Sequence, residues 1–333
     1  MTDYGTLATE PLFGLPLETI WFGLVFFILA MFLFLDGFDF GAGALFATRT
    51  DEEDRETILA AIGPFWDGNE VWLVVFGGAL FAAFPTVYAA LFSRHYLLMF
   101  GILGALILRG LAPEMYEQRH DPSWRRWWGR AFVAGSVLAP ALLGAFVGNW
   151  VGGSPRSFTP AGIVVGGTVL ALTVVSGAAF LRVKTRGRLR ADLRWYGERA
   201  LVVYLAGVLA SLATLAVATP VPVASVTAPV VLGLVALSVL LAAAYALALR
   251  RRRDRLALAA SAGLTYGLVA VVAVLLLPVV DPAAGTAVRE AIVSTLPLNL
   301  MSIGAALLLP LVATYFVVLY SAFSGPAEPT EGY

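Results

Sequence analysis

The sequence predicts an all-α integral membrane protein, and three observations lead to this fold class. First, 59% of the 333 residues are hydrophobic and only 13% are charged, whereas a soluble domain carries about 25% charged residues. Second, apolar runs long enough to cross a bilayer, which takes about 20 residues of helix, recur along the whole chain. Third, Lys and Arg collect in alternate connections between these runs, as they do in multi-pass membrane proteins.

The apolar runs predict nine transmembrane helices, with no strand pattern and no soluble domain. Proline residues fall between the runs, at Pro85, Pro122, Pro155, Pro220 and Pro282, as expected of a residue that ends helices. We expect two four-helix bundles with a peripheral ninth helix. The predicted spans are 17–46, 57–84, 86–116, 125–152, 159–181, 197–218, 226–249, 256–280 and 291–323.

The positive charges predict the orientation of these helices. All but four of the 22 Lys and Arg residues lie in alternate connections, and such connections stay in the cytoplasm. The N-terminus is therefore predicted outside and the C-terminus in the cytoplasm. Residues 1–16 contain no Lys or Arg, so the first apolar run is expected to be a retained helix rather than a signal peptide. The basic connections are interpreted as topology determinants, with binding of lipid head groups as the alternative.

Ionisable residues divide the chain into two unequal halves. Predicted helices one to four, in residues 1–152, carry several ionisable side chains inside the membrane and form the polar, functional half. Helices five to eight carry none between their ends, so residues 153–333, with helices five to nine, form an apolar scaffolding half. A charged side chain near the bilayer centre costs about 2.5–3.5 kcal/mol, so the charges of the first half are expected to serve a function.

The acidic residues of the first two helices come in pairs. Asp36 and Asp39 are three residues apart, and so are Asp67 and Glu70, so each pair shares one helix face. At 1.5 Å of rise per residue, both pairs and Arg109 of the third helix lie about 15–20 Å from the cytoplasmic charges. Helices that follow one another along the chain usually pack side by side. We therefore expect a polar cluster built from three helices.

A cluster with more carboxylates than arginines cannot be neutralised by ion pairs alone. In a low-dielectric interior the surplus is expected to hold protons, and a line of such carboxyls is typical of a proton pathway. The predicted proton path comprises Asp36, Asp67, Trp66, Asn69 and Glu70. The predicted group for ion pairing comprises Asp39, Arg109 and Glu114. The alternative is a static, ion-paired core that only holds the helices together.

Other kinds of site are disfavoured by composition. The chain has no cysteine and two histidines, which excludes thiolate metal sites and limits haem ligation. His95 and His120 are predicted on opposite sides of the membrane, so they cannot ligate one haem together. We expect no metal, no cofactor and no catalytic residue on this chain. Nucleic-acid binding is not supported, because the basic clusters adjoin the membrane.

Several segments of the first 150 residues closely resemble subunit II of the cytochrome bd-type quinol oxidases. They are Leu35–Gly43 (LDGFDFGAG), Trp66–Leu73 (WDGNEVWL) and Gly77–Tyr88 (GGALFAAFPTVY), together with Arg109-Gly110 and Glu114. The resemblance implies nine helices and a partner, subunit I, that holds haems b and d and oxidises quinol. It further implies membrane lipid or a structural quinone as ligands, small single-helix accessory subunits, and a bacterial or archaeal plasma membrane.

The resemblance also assigns roles to individual residues. Asp36 and Asp67 match acidic positions of a proton pathway that leads from the cytoplasm to the oxygen-reducing haem, with Trp66 beside them. Asp39, Asn69, Arg109 and Glu114 match positions around that pathway. Glu70 stands where some relatives have Gln, so this chain has one more acid at that position.

The function predicted from these features is that of a haem-free subunit of a terminal quinol:oxygen oxidoreductase. The chain would stabilise the haem-bearing subunit and contribute to its proton supply. Two alternatives follow from the residues alone. A proton-coupled secondary transporter also places carboxylates at mid-membrane, and it predicts a broken helix and a substrate cavity. A purely structural subunit would use the carboxylates only to pair with arginine.

Overall fold

The computed structural model describes residues 5–327 and is built almost entirely of helices. Many helices begin where the sequence supplies a start signal. Pro85, Pro122, Pro160 and Pro229 each lie at the beginning of a helix, where the missing N–H of proline costs nothing. In chain order the helices are α1 (Thr6–Thr9), α2 (Leu17–Phe46), α3 (Glu52–Ile62), α4 (Trp66–Ala83), α5 (Pro85–Arg94), α6 (Tyr96–Glu117), α7 (Pro122–Val151), α8 (Pro160–Lys184), α9 (Gly187–Ala218), α10 (Val223–Val226), α11 (Pro229–Arg250), α12 (Asp254–Leu275), α13 (Val288–Ala291) and α14 (Thr295–Ala322).

Eight of the described helices are long and apolar enough to cross a membrane, and each corresponds to a predicted span. They are α2, α6, α7, α8, α9, α11, α12 and α14. The remaining predicted span, 57–84, contains α4, which has 18 residues and a polar beginning with Asp67, Asn69 and Glu70. The prediction of a multi-pass, all-α membrane protein is therefore confirmed. The count of nine and the sides of the two termini, which lie outside the described residues, stay predictions.

Two predicted spans are wrong as single helices. The span 57–84 is divided into α3 and α4, because Pro64 has no N–H to donate and its ring clashes with the preceding turn. The span 86–116 is divided into α5 and α6 at His95, whose backbone leaves the helical conformation. Both breaks lie in the polar part of the chain, next to the residues described below.

A short hairpin corrects the expectation that the chain contains no strand. Strands β1 (Val279–Asp281) and β2 (Thr286–Ala287) pair antiparallel between α12 and α13. The strands are too short to show an alternating pattern in the sequence. Asp281 accepts two hydrogen bonds from the Arg94 guanidinium, at 2.9 and 3.0 Å. The hairpin is thereby tied to the end of α5.

Helices α2 and α8 form the centre of the structure and are buried along most of their lengths. They approach closely at Gly41 and Gly177, where a Cβ added at Gly41 would lie 2.9 Å from the Gly177 Cα. Small residues allow such close backbone packing between membrane helices. Because α2 also packs against α12, the two predicted halves are joined along a broad contact. Their division into two four-helix bundles stays a prediction.

The last helix, α14, lies on the outside, with only Leu298 and Asn299 buried. The Asn299 side chain holds the N-terminal segment: it donates to the carbonyl oxygens of Leu7 and Glu10 and accepts from the Leu12 N–H, each at 2.8 Å. After α14, the N–H of Ala327 donates to the carbonyl oxygen of Lys184. The segments before α2 and after α14 are thus fastened to other helices within the described part of the chain.

Candidate functional site

Helices α2, α4 and α6 bring five of the predicted polar residues together. We call this group the Arg109 cluster. Its members are Asp36, Asp39, Asn69, Glu70 and Arg109. Spacings of three and four residues place Asp36 and Asp39 on one face of α2, towards α4 and α6. The expectation of a polar cluster built from three helices is met at these positions.

Arg109 is the centre of the cluster and is 1% exposed. Its Nη2 lies 2.7 Å from Asp36 Oδ1 and 3.4 Å from Asp39 Oδ2, and its Nη1 lies 3.1 Å from Glu70 Oε2. Asp36 and Asp39 are fully buried, whereas the Glu70 side chain is 29% exposed. One guanidinium therefore bridges three carboxylates from two other helices.

Aromatic rings and a close helix contact hold the guanidinium in place. Its Cζ lies 5.1 Å from the ring centroid of Phe40 and 5.4 Å from that of Trp66, distances at which a cation is attracted to the ring face. Gly135 of α7 packs against the backbone of α6, since a Cβ there would lie 2.6 Å from the Arg109 N. A larger residue at position 135 would move the helix that carries Arg109.

Asn69 connects the cluster to the last helix. Its Nδ2 donates to Asp39 Oδ2 at 2.9 Å and to the Leu35 carbonyl oxygen at 3.3 Å. Its Oδ1 accepts from the Tyr320 hydroxyl at 2.8 Å. Tyr320 was missed by the sequence analysis, because nothing in the sequence indicates that the end of α14 lies against the beginning of α4.

The cluster contains more negative than positive groups. Three carboxylates face one guanidinium, and both Asp36 Oδ2 and Asp39 Oδ1 are buried without a hydrogen-bond partner among the described residues. An ionised oxygen buried in this way is costly, whereas a protonated carboxyl carries no net charge. The chemistry that this arrangement favours is the holding and exchange of protons.

Two predicted members, Asp67 and Glu114, lie outside the Arg109 cluster. Both are exposed on the surface of the chain, and neither forms an ion pair with a described residue. Successive helical residues are about 100° apart, so Asp67 points roughly 200° away from the buried Asn69. The expectation that all the acids of the first three helices meet in one cluster is therefore corrected. The break before α4 explains part of the error, because it removes the continuous helix used to estimate depth.

The exposed acids stand at the ends of two apolar helix faces. On α4 the exposed face runs from Asp67 through Val71, Val74 and Phe81; on α6 it runs from Phe100 through Leu103, Ile107 and Leu111 to Glu114. Glu70 adjoins the first of these faces. A carboxylate on an otherwise apolar membrane-facing surface is unusual and marks this side of the molecule as distinct from plain lipid-facing surface.

Histidine offers little for metal binding. Within residues 5–327, no group of three His, Cys, Asp or Glu side chains could hold a metal ion. His95 is buried at the α5–α6 break, and neither of its ring nitrogens has a hydrogen-bond partner in the described part of the chain. His120 lies on the surface, 2.6 Å from an Arg125 nitrogen.

An apolar cavity of about 400 Å³ lies beside the cluster, between α2, α4, α5, α6, α7, α8 and α12. Its wall includes Leu73, Tyr88, Met99, Phe146 and Val165, and none of its lining residues is charged. The members of the Arg109 cluster do not line it. Such a cavity suits a hydrocarbon chain or an apolar ring.

Comparison with known proteins gives three findings. The family model described as "Cytochrome bd terminal oxidase subunit II" matches residues 17–323. The chain is 34% identical over 207 residues to cytochrome bd-I ubiquinol oxidase subunit 2 of Escherichia coli (strain K12), which covers 57% of this chain and 54% of that protein. It is 34% identical over 209 residues to cytochrome bd ubiquinol oxidase subunit 2 of Bacillus subtilis (strain 168), covering 58% and 61%.

These sequence matches span only a little over half the length of the curated relatives. In structure, the chain is similar to a chain of the bd oxidase from Geobacillus thermodenitrificans, with a TM-score of 0.76 and 16% sequence identity. That match covers 92% of this chain and 98% of the other, so the fold is shared along almost the whole length.

Proposed function

The chain belongs to the cytochrome bd terminal oxidase subunit II family, and from this premise we propose that it is the haem-free subunit of a bd-type quinol:oxygen oxidoreductase. In the proposed complex, quinol supplies electrons and a partner, subunit I, holds haems b and d, where dioxygen is reduced to water. This chain stabilises that partner and contributes a proton path from the cytoplasm to the oxygen-reducing haem.

The observation that carries the proton path is the imbalance of the Arg109 cluster. Three carboxylates share one buried guanidinium, and two of their oxygens are buried with no hydrogen-bond partner in the described part of the chain. A group that only held helices together would be more stable with matched charges. Surplus carboxyls inside a membrane protein are typical of proton relays.

From the cytoplasm, the proposed path passes Asp36 and Asn69 and then Glu70, which is partly exposed, to reach Asp67 on the surface. Trp66 covers the guanidinium on this side. The exposed faces of α4 and α6 are the proposed contact with subunit I, because they combine apolar residues with Asp67 and Glu114. In this arrangement Asp67 delivers protons to the partner, and Asn69 and Arg109 position the carboxyls.

The structure has two features expected of a proton-coupled transporter, broken helices and a cavity, but the cavity is not lined by carboxylates. The structure contains broken helices at Pro64 and His95 and an apolar cavity. The cavity wall, however, has no charged residue, and the carboxylates lie outside it, so proton binding is not coupled to a substrate site there. We propose instead that the cavity holds a structural quinone or a lipid chain.

The wider organisation is proposed on the same basis. Nine spans, with α4 as the second, put the termini on opposite sides of a bacterial or archaeal plasma membrane, and the Lys- and Arg-rich connections place the C-terminus in the cytoplasm. Residues 1–152 supply the polar half and residues 153–333 the scaffold. Small single-helix accessory subunits are further proposed partners.

The test is purification through a tag on this chain. We expect it to copurify with a haem-bearing membrane protein, to show a d-type band in the reduced spectrum, and to consume oxygen with quinol as the electron donor. Isolation of a functional, haem-free protein would contradict the proposal.

A further inference from the structure

A second polar feature lies far along the chain from the Arg109 cluster. The end of α8, the start of α9, the α11–α12 turn and the segment after α14 enclose a cleft of about 250 Å³. We call it the arginine cleft, and its charged lining residues are Arg182, Arg186, Arg190, Arg252, Arg255 and Asp254. Among residues 5–327, five cations and one anion give this lining a strong positive excess.

The one carboxylate among the described lining residues, that of Asp254, already accepts hydrogen bonds from two arginines. Asp254 is 8% exposed and accepts hydrogen bonds from Arg182 Nε at 2.9 Å and from Arg190 Nε at 2.8 Å. Arg182 also donates to the Arg190 carbonyl oxygen at 2.6 Å. These contacts fix two guanidinium groups around one carboxylate, so the pair of arginines still carries one unmatched positive charge.

The other three arginines of the cleft are unpaired within the described chain. Arg186, Arg252 and Arg255 are exposed, and none of them forms an ion pair with a described residue. A neighbouring cleft shows the opposite balance, because Asp51, Glu53, Asp54 and Asp192 line it together with three arginines, Arg49, Arg186 and Arg188. The arginine cleft therefore carries a positive excess that its neighbouring cleft lacks.

Two helices begin at the cleft. Neither α9 nor α12 has a side-chain cap at its N-terminus, where Arg186 and Arg253 occupy the capping positions. Uncapped N–H groups and the positive end of the helix dipole favour an anion at such a place. The helix termini add to the attraction of the arginines.

We propose that the arginine cleft binds a phosphate group. Guanidinium groups match the geometry of phosphate oxygens in paired hydrogen bonds. Because the cleft lies where the spanning helices α8 and α12 reach the membrane surface, the head group of an anionic phospholipid is within reach. A soluble phosphate has the same chemistry, and the experiment below separates these two sources.

Arg252 allows a variant that separates binding from folding. Its φ is 57°, in the left-handed region, at the end of α11. The N–H groups of Arg253 and Arg252 donate to the carbonyl oxygens of Ala248 and Leu249, the pattern of a helix end that favours glycine. Arg252→Gly therefore suits the backbone while it removes the guanidinium.

The experiment uses the full chain, in the assembly in which it purifies, placed in nanodiscs of equal phosphatidylcholine and phosphatidylglycerol. Retained lipid is measured by native mass spectrometry after mild delipidation, with and without inorganic phosphate. The test protein is the triple variant Arg186→Gln, Arg252→Gly, Arg255→Gln. The matched control is Arg188→Gln, whose side chain is 94% exposed and lines only the neighbouring cleft.

We expect selective retention of phosphatidylglycerol by the wild type and the control. Each neutralised arginine should weaken binding about fivefold, and the triple variant about a hundredfold. If inorganic phosphate protects the wild type against heat but not the triple variant, and no phosphatidylglycerol is retained, the cleft takes a soluble phosphate. Equal lipid retention and an equal response to phosphate in the wild type and the triple variant would overturn the proposal. The single variant Arg252→Gly serves as the folding control: unchanged thermal stability shows that its fold is intact.

Discussion

The Arg109 cluster and the group around Asp254 are opposites in composition. In the first, one arginine faces three carboxylates within the predicted spans; in the second, one carboxylate faces two arginines at the helix ends. Both central residues are buried, and each group joins three helices. They differ in the sign of the unmatched charge and in their depth.

This difference teaches what each group can do. A surplus carboxyl in an apolar interior can lose its charge by taking up a proton, so it can act as a proton store. A surplus arginine cannot be deprotonated in a protein and must stay charged. It therefore belongs where water, lipid head groups or phosphate can meet it. An excess of carboxyls therefore favours proton binding, and an excess of arginines favours anion binding.

The largest expected effect comes from removing the centre of the first group. Arg109→Gln leaves two fully buried carboxylates and Glu70 without a cation, and breaking a buried ion pair in this way costs about 3–5 kcal/mol. We expect poor assembly and loss of haem from the purified complex, measured by the yield and the reduced spectrum. Arg182→Gln is the matched control, because Arg190 still pairs with Asp254. Similar losses in both variants would contradict the distinction between the two groups.

The next effect concerns activity rather than assembly. Asp36→Asn removes one of the surplus acids and keeps the shape of the side chain, so the helices should still pack and the haems should still load. Loss of a proton-transfer group typically costs 10²–10⁴-fold in rate, and we expect quinol-driven oxygen consumption to fall by at least about tenfold. Asp254→Asn should instead leave the activity unchanged and lower the Tm. Normal activity of fully loaded Asp36→Asn would identify the cluster as a static core.

The residues of the Arg109 cluster show which parts of the site could be predicted from the sequence. Asp36, Asp39, Glu70 and Arg109 could be placed together, because spacing along a helix and depth in the membrane follow from helical geometry. The break at Pro64 and the outward position of Asp67 could not be predicted, because the estimate of depth from the rise per residue assumes an unbroken helix. Tyr320 could not be assigned to the site either, because contacts between distant helices leave no local pattern.

A smaller effect is expected at the surface end of the proposed path. Asp67→Asn changes an exposed side chain, so folding and haem content should be normal. If Asp67 passes protons to the partner, oxygen consumption should fall, but by less than in Asp36→Asn, because the partly exposed Glu70 lies on the same helix face and stays in place. Glu114→Gln, the other exposed acid, is the control and should retain full activity. Equal activity of Asp67→Asn and wild type would end the proposed path at Glu70.

The smallest effect is expected for a third group, whose carboxylates are exposed to water and therefore screened. Glu52, before the second predicted span, accepts a hydrogen bond from the Tyr116 hydroxyl at 2.6 Å and pairs with Arg125, which also contacts Glu56 at 2.8 Å. Burial raises the pKa of Glu52. The hydrogen bonds from Tyr116 and Arg125 together lower it by more than burial raises it, so the pKa lies below its ordinary value.

The sign of the pH dependence follows. A carboxylate whose pKa is lowered by folding stabilises the protein above its ordinary pKa, and this contribution disappears as the pH falls through the lowered value. Glu52→Gln should therefore lower the Tm slightly at pH 7, by the equivalent of less than about 1 kcal/mol because exposed ion pairs are weak. The difference from wild type should vanish in acid. A difference that persists in acid would mean that Glu52 acts through its hydrogen bonds and not its charge, which would separate this group from both buried clusters.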